Sequence, residues 1–515
     1  MIHAVRLYRD TYVDSVVQLS GTRALRAVDG VDWAAAAMAT PGNLEALAAE
    51  GFPADDVAGA GANDLVVAVR AESDDAVAAA REAGEEALFA ARAGGEAGAA
   101  AAERAARTLD EAVDRMPGAN VAVVSVPGDY AALEAHKALS AGLDVLLFSD
   151  NVSIETEVEL KERAAGLGRL VMGPGAGTAM LGRTCLGFAN VVSPGPVAVV
   201  AAAGTGAQEV ASLLDRWGLG ISHVIGLGGR DLSAAVGGRM ARTALAALRA
   251  DSGTEVVLLV SKPPAPEVAR EVLAAAGDKP LVAALVGLDP SAAGFEAPGG
   301  VVVTRTLEAG AVAALAAVGR PAPDVAGGLV ERVAAAAADL PGARTLVRGL
   351  FSGGTLCYES LVVLADVLGP VYSNTPLEKD LGLPAPDGAH VCLDLGEEEY
   401  TKGRPHPMID PAARIELLRE VGADERVAAI VLDVVLGYGA HPDPAAELAP
   451  VCAEIVSGGG PAVVVYVLGT DGDPQDVRRQ RAAFVEAGCV VTETAARASL
   501  AAAAVAVRRP EIAAI

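Results

Sequence analysis

The sequence predicts an α/β protein of several domains, one of which is repeated further along the chain. Short runs of apolar residues alternate with helical patterns, which is typical of parallel sheets covered by helices on both faces. Several of these runs end in a glycine-rich turn that leads directly into a helix. A strand, a turn and a helix of this kind occur twice in the chain with similar sequences, which indicates an internal duplication.

The length of 515 residues fits several domains, because roughly 100 to 200 residues per domain is usual. The expected order is a small N-terminal α/β domain (1–93), a linker with a helix (94–119), a Rossmann-like domain (120–194) and two flavodoxin-like domains (195–320 and 321–515).

The composition argues against several classes of protein. The formal net charge of −26 disfavours nucleic acid or an anionic membrane as a partner. No apolar run reaches the ~20 residues that a spanning helix needs, and the start of the chain lacks the apolar segment of a secretion signal. We therefore expect a cytosolic protein that holds anionic substrates through local donors. The five cysteines have no CxxC spacing, so we expect reduced, buried thiols and no metal site.

The Rossmann-like region contains the apolar runs NVAVVSV, DVLLFSD and RLVMG and then the turn GPGAGT. The glycines of this turn, Gly173, Gly175 and Gly177, are candidates to present backbone amides to the phosphate of a cofactor. Gly-Pro turns are common, so this motif is weak when taken alone.

The next region repeats the pattern with the run PVAVVAA and the turn Gly204-Thr205-Gly206, which opens a helix. A helix N-terminus offers free N–H groups and the positive end of the helix dipole, which together favour an anion. Arg230 and Lys262 follow two further strands and are candidates to neutralise charge on a phosphate. The alternatives are an ion pair with a neighbouring carboxylate for Arg230 and a solvated loop position for Lys262.

The duplication becomes clear when TLVRGLFSGGTLCYESLVVL (345–364) is set beside GPVAVVAAAGTGAQEVASLL (195–214). Thr355 and Thr205 are 355 − 205 = 150 residues apart. The second turn therefore supplies Gly353, Gly354 and Thr355 as further candidates to bind phosphate. If the two copies face each other, both turns converge on one anion; the alternative is a duplicated scaffold without a site.

A long polar loop, HVCLDLGEEEYTKGRPHPMID (390–410), follows a strand of the second copy. Arg404 is a candidate to hold a substrate carboxylate through two parallel hydrogen bonds. His406, between two prolines, is a candidate general acid or base near neutral pH, with a structural role in the loop as the alternative. We expect His223 and His390, which lie inside apolar strands, to be structural.

Taken together, these stretches resemble the FdrA family, whose members are relatives of succinyl-CoA synthetase. The more specific matches are FSDNVSIETEVELK, VIGLGGRDLS, VSKPP, FSGGTL, GRPHPMIDP and LDVVLGYGAHPDPA, and the resemblance covers essentially the whole chain. It implies that residues 120–318 correspond to the α-subunit of that enzyme, with a CoA-binding Rossmann domain and a flavodoxin-like domain. It also implies that residues 341–515 correspond to the carboxyl-terminal domain of the β-subunit.

The chain departs from that superfamily at the histidine that relays phosphate in succinyl-CoA synthetase. The corresponding stretch, VAALVGLDPSAAGFEAPGGVV, contains no histidine, and the ATP-grasp part of the β-subunit has no counterpart. Both glycine turns are nevertheless retained. This combination argues against acyl-CoA synthesis by the parent mechanism and for a phosphate-bearing substrate such as an acyl phosphate.

The resemblance implies a carbamoyltransferase of purine degradation, which interconverts oxamate plus carbamoyl phosphate with oxalurate plus phosphate. It also implies a hetero-complex with partner proteins, and we expect a homo-oligomer as well. One alternative is an acyl-CoA ligase that binds CoA at the turn 173–178 and along residues 125–130. The other alternative is a non-catalytic subunit that positions partners.

Overall fold

We analysed a computed structural model of the chain, which describes residues 1–13, 15–96, 106–290, 294, 296–401 and 405–515. The chain divides into two compact units, one of residues 1–106 with 398–405 and the other of residues 107–397 with 406–515. In the described parts of the chain, no helix is long and apolar enough to cross a membrane.

The N-terminal unit contains a three-stranded antiparallel sheet with strand order β1-β3-β2. Its elements are β1 (Ile2–Tyr8), α1 (Ser15–Arg26), β2 (Val31–Met38), α2 (Pro41–Ala49), β3 (Leu65–Ala71) and α3 (Asp74–Glu96). Alternate residues of β3 enter different cores, because Val67 and Val69 belong to one apolar cluster and Val66 and Ala68 to another. The small α/β domain expected in this region is present. Part of the predicted linker, residues 97–105, lies outside the described residues.

The Rossmann-like region forms a parallel three-stranded sheet with strand order β4-β5-β6. The elements from the linker helix to the end of this region are α4 (Leu109–Arg115), β4 (Val121–Val124), α5 (Gly128–Ser140), β5 (Asp144–Leu147), α6 (Ile154–Leu167), β6 (Val171–Met172), β7 (Thr178–Leu181) and β8 (Thr184–Gly187). The hairpin β7–β8 joins the next sheet, where β7 pairs antiparallel with a later strand at Met180 and Val224. The Rossmann-like sheet therefore ends at Met172, and the boundary expected at 194 is too late.

The first flavodoxin-like region contributes five parallel strands to a seven-stranded sheet with order β13-β12-β11-β9-β10-β7-β8. Its elements are β9 (Pro194–Ala202), α7 (Gly204–Arg216), β10 (Ile221–Gly226), α8 (Arg239–Ala250), β11 (Val256–Ser261), α9 (Pro266–Ala274), β12 (Leu281–Leu285), β13 (Val301–Thr304) and α10 (Leu307–Ala317). When these five strands are numbered as they occur along the chain, their order across the sheet is 2-1-3-4-5, which is the flavodoxin order.

The second flavodoxin-like region forms a six-stranded parallel sheet with order β15-β16-β14-β17-β18-β19. Its elements are α11 (Leu329–Ala338), β14 (Leu346–Phe351), α12 (Gly354–Leu368), β15 (Val371–Ser373), β16 (His390–Asp394), α14 (Ala412–Ala423), β17 (Val427–Val435), α15 (Pro444–Ser457), β18 (Ala462–Leu468), α16 (Val477–Glu486), β19 (Val490–Thr492) and α17 (Ala495–Val507). The short helix α13 (Glu398–Thr401), between β16 and α14, belongs to the N-terminal unit. Apart from the additional edge strand β15, the order again is 2-1-3-4-5. The two flavodoxin-like copies predicted from the duplication are therefore present.

The two copies share one apolar core. The same cluster of buried side chains includes Val210 and Leu214 of α7 together with Leu356 and Leu361 of α12. Because α7 and α12 each follow a glycine turn, this shared core fixes the two turns relative to each other.

Candidate functional site

The two glycine turns meet where α7 and α12 begin. The backbone amide of Thr355 donates to the hydroxyl of Thr205 across the junction, at 3.2 Å. Side chains on the glycines would block this approach, because a Cβ on Gly206 would lie 2.8 Å from Cγ2 of Thr355 and one on Gly353 3.1 Å from Cβ of Thr205. The convergence of the two turns that the duplication predicted is confirmed.

The two turns differ in how many donors they leave free. The buried carboxylate of Asp433 accepts hydrogen bonds from the backbone amides of Ser352 and Gly353, each at 2.7 Å, and is paired with Arg414 at 2.8 Å. The amide of Thr355 is engaged by Thr205. The prediction that the second turn holds phosphate through the amides of Gly353 and Thr355 is therefore wrong, since Asp433 already occupies the place of an anion.

A difference in residue type at equivalent positions of the two sheets explains why only the second turn meets a carboxylate. In the first copy, Val260 of β11 lies opposite Ala201. In the second copy, Leu432 of β17 lies opposite Leu350, so that Asp433 takes the place corresponding to Val260.

The first turn consequently keeps its donors. Ala203 is the N-cap residue of α7, and among the described residues no side chain accepts a hydrogen bond from the first turn of this helix. Gly204, Thr205 and Gly206 remain the predicted phosphate-binding residues, together with Gly354 on the facing helix.

Lys262 extends from the first copy towards the second. Its ammonium nitrogen lies 3.1 Å from the position that a Cβ on Gly354 would take. The same nitrogen is 3.9 Å from a carboxylate oxygen of Glu397 and 5.0 Å from the centroid of the Tyr358 ring. Lys262 thus places a positive charge beside the junction of the two helix N-termini, as its position after a strand suggested.

Asp394 adds a buried carboxylate to the same junction. It ends β16, is 2% exposed, and places Oδ2 against Gly354 while Oδ1 accepts from the amide of Gly396 at 3.0 Å. The side chain of Asn374 holds its backbone through two hydrogen bonds of 2.9 Å. Burial raises the pKa of Asp394 to about 6, opposed by the charge of Lys262. The carboxylate is therefore ionised at neutral pH but accepts a proton more readily than an exposed aspartate does.

His406 lies beside Asp394. A Cβ on Gly396 would lie 2.7 Å from Nε2 of His406 and 3.2 Å from Oδ1 of Asp394. Its Nδ1 accepts from the amide of Met408 at 3.2 Å, so the neutral ring carries its proton on Nε2. Burial lowers the pKa of His406, opposed by the charge of Asp433. The imidazole is thus a neutral hydrogen-bond donor at this junction.

Arg230, one of the predicted cations, is paired away from the junction. The guanidinium of Arg230 donates to the buried carboxylate of Glu157 at 2.9 Å and to the carbonyl of Val152 at 2.7 Å. The alternative interpretation of Arg230, an ion pair with a nearby carboxylate, is therefore the one that the structure supports, and its predicted catalytic role is withdrawn. Arg404 lies outside the described residues, so its role stays a prediction.

The turn 173–178 does not present a row of free amides. The amide of Gly175 donates to the carbonyl of Ser149 at 3.0 Å and that of Ala176 to the carbonyl of Leu147 at 3.3 Å. Gly173 has a φ of +126°, and a Cβ there would overlap the carbonyl oxygen of Leu147. Close packing explains the glycine at 173, and the expectation that the amide of Gly175 is free for a phosphate is wrong. Gly177 remains a candidate to contact a cofactor.

The strand histidines have the structural role expected of them. Nδ1 of His223 accepts from the amide of Gly182 at 2.9 Å, and Nδ1 of His390 accepts from the amide of Val347 at 3.1 Å. Neither Asp394 nor Asp433 is among the site residues predicted from the sequence. The available signal was a single carboxylate within an otherwise apolar run, in VCLDL and in AAIVLDVVL.

Comparisons with known proteins agree with this architecture. A family profile described as "CoA-ligase" matches residues 350–505, and one described as "AllF, heavy metal-associated domain" matches residues 1–105. Subunit alpha 2 of the ADP-forming succinate–CoA ligase of Archaeoglobus fulgidus is 32% identical over 126 residues, which are 24% of this chain and 44% of that protein. The fold and these matches define an α/β protein of the CoA-ligase type.

A more extensive match identifies the family. The uncharacterized protein YahF of Escherichia coli is 37% identical over 501 residues, covering 95% of this chain and 96% of that protein. With the AllF-type N-terminal domain and the CoA-ligase domain, this relationship places the chain in the FdrA family.

Among solved structures, acetyl-coenzyme A synthetase 1 of Ca. Korarchaeum cryptofilum in complex with phosphate and ADP aligns with a TM-score of 0.30 and 18% identity. The alignment covers 76% of this chain and 84% of that one.

The N-terminal domain does not fit a soft metal ion. Residues 1–105 contain no cysteine, and their one histidine, His3, packs its ring 5.1 Å from that of Phe52. Thiolate and imidazole are the ligands that such ions prefer. We therefore assign no metal chemistry to this domain.

Proposed function

We propose that the chain catalyses the transfer of an acyl group from an acyl phosphate, as a subunit of a CoA-ligase-type enzyme. The observation that carries this proposal is the cluster at the helix junction, where free amides of the first turn, a lysine, a carboxylate and a neutral imidazole lie together. An acidic chain needs such a local set of donors to hold a phosphate.

In the proposed reaction, the amides of Gly204, Thr205 and Gly206 hold the phosphate at the positive end of the α7 dipole. An acceptor X–H attacks the acyl carbon, a C–X bond forms, and the C–O bond to phosphate breaks with its electron pair leaving on the phosphate. Asp394 takes the proton of the acceptor. Nε2–H of His406 and the ammonium of Lys262 stabilise the charge that develops on the phosphate.

The relatives favour the thiol of CoA as the acceptor. The matched profile is a CoA-ligase, and the curated relatives that align with part of the chain include CoA ligase subunits. CoA would then lie along residues 125–130 and the turn 173–178, and the reaction would form acyl-CoA and phosphate.

A second candidate is carbamoyl transfer from carbamoyl phosphate to a small amide such as oxamate. It is supported by the sequence itself, since no histidine lies between His223 and His390 to relay phosphate as in succinyl-CoA synthetase. No relative named above is described as a carbamoyltransferase, so this reaction stays a prediction.

We further propose that the enzyme works as a cytosolic hetero-complex. Several relatives are named as subunits of ligases, which supports a need for partner proteins. The proteins encoded beside this chain are the first to test, and the chain is also expected to self-associate.

The experiment compares Lys262→Met with the wild-type chain, each mixed with the neighbouring proteins. Phosphate release is measured from acetyl phosphate with CoA and from carbamoyl phosphate with oxamate. Because Lys262 is the positive side chain at the junction, we expect kcat/KM to fall at least about tenfold, which corresponds to about 1.4 kcal/mol of transition-state stabilisation.

Lys137→Met is the matched control, because Lys137 lies on α5 and pairs with Glu134 at 2.8 Å. Phosphate release equal in all three proteins would contradict the proposed role of the junction. The acceptor that supports turnover decides between the two candidate reactions.

A further inference from the structure

The sheet of the N-terminal unit has two long outer strands, β1 and β2, with seven and eight residues. The N–H and C=O groups along an outer strand can pair with a further strand, so proteins usually shorten or cover such edges. The outer strands of the other described sheets are short, with four residues in β4, β8 and β13, three in β15 and β19 and two in β6. The two long edges therefore need another form of protection.

The outer edge of β2 is covered by α1. Three side chains of α1, each four residues from the next and so on one face of the helix, bind alternate residues of β2. They are Gln18, Thr22 and Arg26. They bind the amide of Met38 at 3.1 Å, the amide of Ala36 at 2.9 Å and the carbonyl of Ala34 at 2.8 Å, respectively. This row of side chains closes β2 to a further strand.

The pairing of β3 shows which backbone groups of β1 point outwards. Because the amide of Ala36 is bound by Thr22, it points away from β3, and Val67, opposite Ala36, directs its own groups to the other side. On that side Val67 faces Arg6 of β1, whose groups therefore point towards β3. The groups that point outwards belong to the alternate residues His3, Val5 and Leu7.

The outer edge of β1 is not covered in this way. Within the described parts of the chain, the backbone groups of His3, Val5 and Leu7 have no hydrogen-bond partner. His3 is exposed, and the other two residues are only partly buried. The strand contains no proline and pairs with β3 without a shift in register. These features leave a regular edge of seven residues open to a further strand.

We propose that a second copy of this chain pairs with this edge, β1 against β1, in antiparallel orientation about a twofold axis at Val5. In this register Val5 pairs with Val5 of the second copy, and His3 pairs with Leu7. Every outward N–H and C=O group of both strands then has a partner. The two three-stranded sheets join into one continuous sheet.

The side chains of β1 also fit a second copy. Val5 lies opposite its own copy, and pairs of β-branched side chains are favourable across strands. Arg6 lies opposite Ala4, so no like charges face each other directly, and Arg6 keeps Glu85 at 3.3 Å as its own counter-charge. The edge is thus complementary to itself. This interface goes beyond the proposed function and gives the expected self-association a defined surface.

Val5→Pro tests the interface, because proline removes the N–H at the centre of the pairing and leaves the bonds to β3 in place. The measurement is the molar mass of the full chain by sedimentation, with circular dichroism to show that the variant is folded. One chain has a mass of 51.5 kDa. We expect the wild type to have at least twice this mass and Val5→Pro to have half the mass of the wild type. A wild type of single-chain mass, or a folded Val5→Pro with the mass of the wild type, would overturn the proposal.

A cross-link tests the register and does not depend on the proline variant. Val5→Cys places two cysteines directly opposite each other, with Cβ atoms roughly 5 Å apart, within reach of a short bis-maleimide. His3→Cys is the matched control, because it lies on the same face of β1 and is more exposed. Its two copies would be roughly 14 Å apart along the strands, so Val5→Cys should give at least about fivefold more covalent dimer.

The wild type reports the background from the native cysteines in this experiment. Equal yields of covalent dimer from Val5→Cys and His3→Cys, or none above background from Val5→Cys, would overturn the proposed pairing. A cross-link from Val5→Cys to a neighbouring protein in place of a second copy would overturn it as well. Neither measurement depends on turnover at the helix junction, so the proposed function is tested separately.

Discussion

Asp394 and Asp433 are both buried carboxylates on strands of the second flavodoxin-like copy, yet their surroundings give them different roles. Asp433 is 1% exposed and is occupied by two backbone amides, a serine hydroxyl and Arg414. Asp394 accepts one backbone amide and faces Lys262 across Gly354. A carboxylate with all its donors in place is structural, whereas one with a free oxygen beside a cation is available for proton transfer.

The pH dependence of turnover should therefore report Asp394. Burial raises the pKa of this group from 3.8 to about 6. Since the ionised form is the base, kcat/KM should rise with pH through about 6 and level off above it. Asp394→Asn should lower kcat/KM at least about tenfold and remove this limb of the profile.

The measurement is phosphate release from pH 5 to pH 8 for both proteins. If kcat/KM of Asp394→Asn still rises with pH around the same midpoint, a group other than Asp394 is responsible for the rise. The unfolding temperature of the variant, measured in parallel, separates loss of catalysis from loss of folding.

At the scale of residues, sequence reasoning succeeded where position along a strand was enough. Lys262 follows an apolar strand and His406 belongs to a polar loop, and both lie at the junction. The prediction failed for Arg230, because the role of this side chain depends on packing between distant elements. Its partner Glu157 lies on α6 of the preceding domain. The hydrogen bonds to Asp433 depend on the pairing of β14 with β17, which the sequence alone does not reveal.

At the scale of elements, the two copies exchange a helix cap. Glu359 of α12 accepts at 2.7 Å from the amide of Leu307, the first residue of α10. Glu209 of α7, 359 − 209 = 150 residues earlier, lies 3.5 Å from the amide of Ala495, the first residue of α17. The helix that follows the glycine turn of each copy thus contacts the N-terminus of the last helix of the other, where an acidic side chain is favoured.

These two glutamates are buried, and burial raises the pKa of Glu209 to about 7 and that of Glu359 to about 8. Their folded pKa values lie above the ordinary value of 4.5, so the folded state binds protons more tightly than the unfolded state does. The stability they contribute is present at low pH and is lost as the pH rises from about 4.5 to about 8.

Glu359→Gln should flatten this dependence, because glutamine keeps an acceptor for the amide of Leu307 and carries no charge. Between pH 6 and pH 9 the unfolding temperature of the wild type should fall, and that of the variant should fall less. Each unit of pKa corresponds to about 1.4 kcal/mol, so the difference is expected to reach a few kcal/mol.

The measurement is thermal unfolding followed by circular dichroism at fixed ionic strength. Glu425→Gln is a suitable control, because Glu425 is exposed in the turn before β17. Identical slopes for the wild type and Glu359→Gln would show that Glu359 keeps an ordinary pKa in the folded protein.

The order of elements was largely predictable, because apolar strands and capped helices alternate regularly along the chain. The hairpin β7–β8 was the exception, since the stretch between the glycine turn and the next domain was assigned to the Rossmann-like region. The local signal was a two-residue turn at Gly182-Arg183, where Gly182 has a φ of +59°. Which sheet the hairpin joins depends on tertiary pairing with β10.

At the scale of the whole molecule, the two flavodoxin-like copies share one apolar core, which brings the N-termini of α7 and α12 together at one junction. The duplication predicted that two helix N-termini converge, and they do. It also suggested that the two turns contribute equally, and here the symmetry is broken by Asp433. Asp433 takes up the amides of Ser352 and Gly353, whereas no side chain among the described residues accepts from the first turn of α7, on a chain whose formal net charge is −26.

This asymmetry provides the most direct test, because a carboxylate can be introduced at the first turn to compete with phosphate, as Asp433 occupies the amides of the second. Gly204 is exposed and has a negative φ, and apart from the hydroxyl of Thr178 at 4.0 Å the position of its Cβ is open. Gly204→Asp should therefore place a carboxylate where the phosphate would bind. Gly118→Asp adds the same charge at an exposed glycine with no atom within 4 Å of its Cβ position.

The measurement is the binding of inorganic phosphate to the three proteins, followed by calorimetry at constant ionic strength. We predict that the wild type and Gly118→Asp bind phosphate with similar affinity and that Gly204→Asp binds it at least about tenfold more weakly, a loss of about 1.4 kcal/mol. Equal affinity in all three proteins, or no binding to the wild type, would contradict a phosphate site at the first glycine turn.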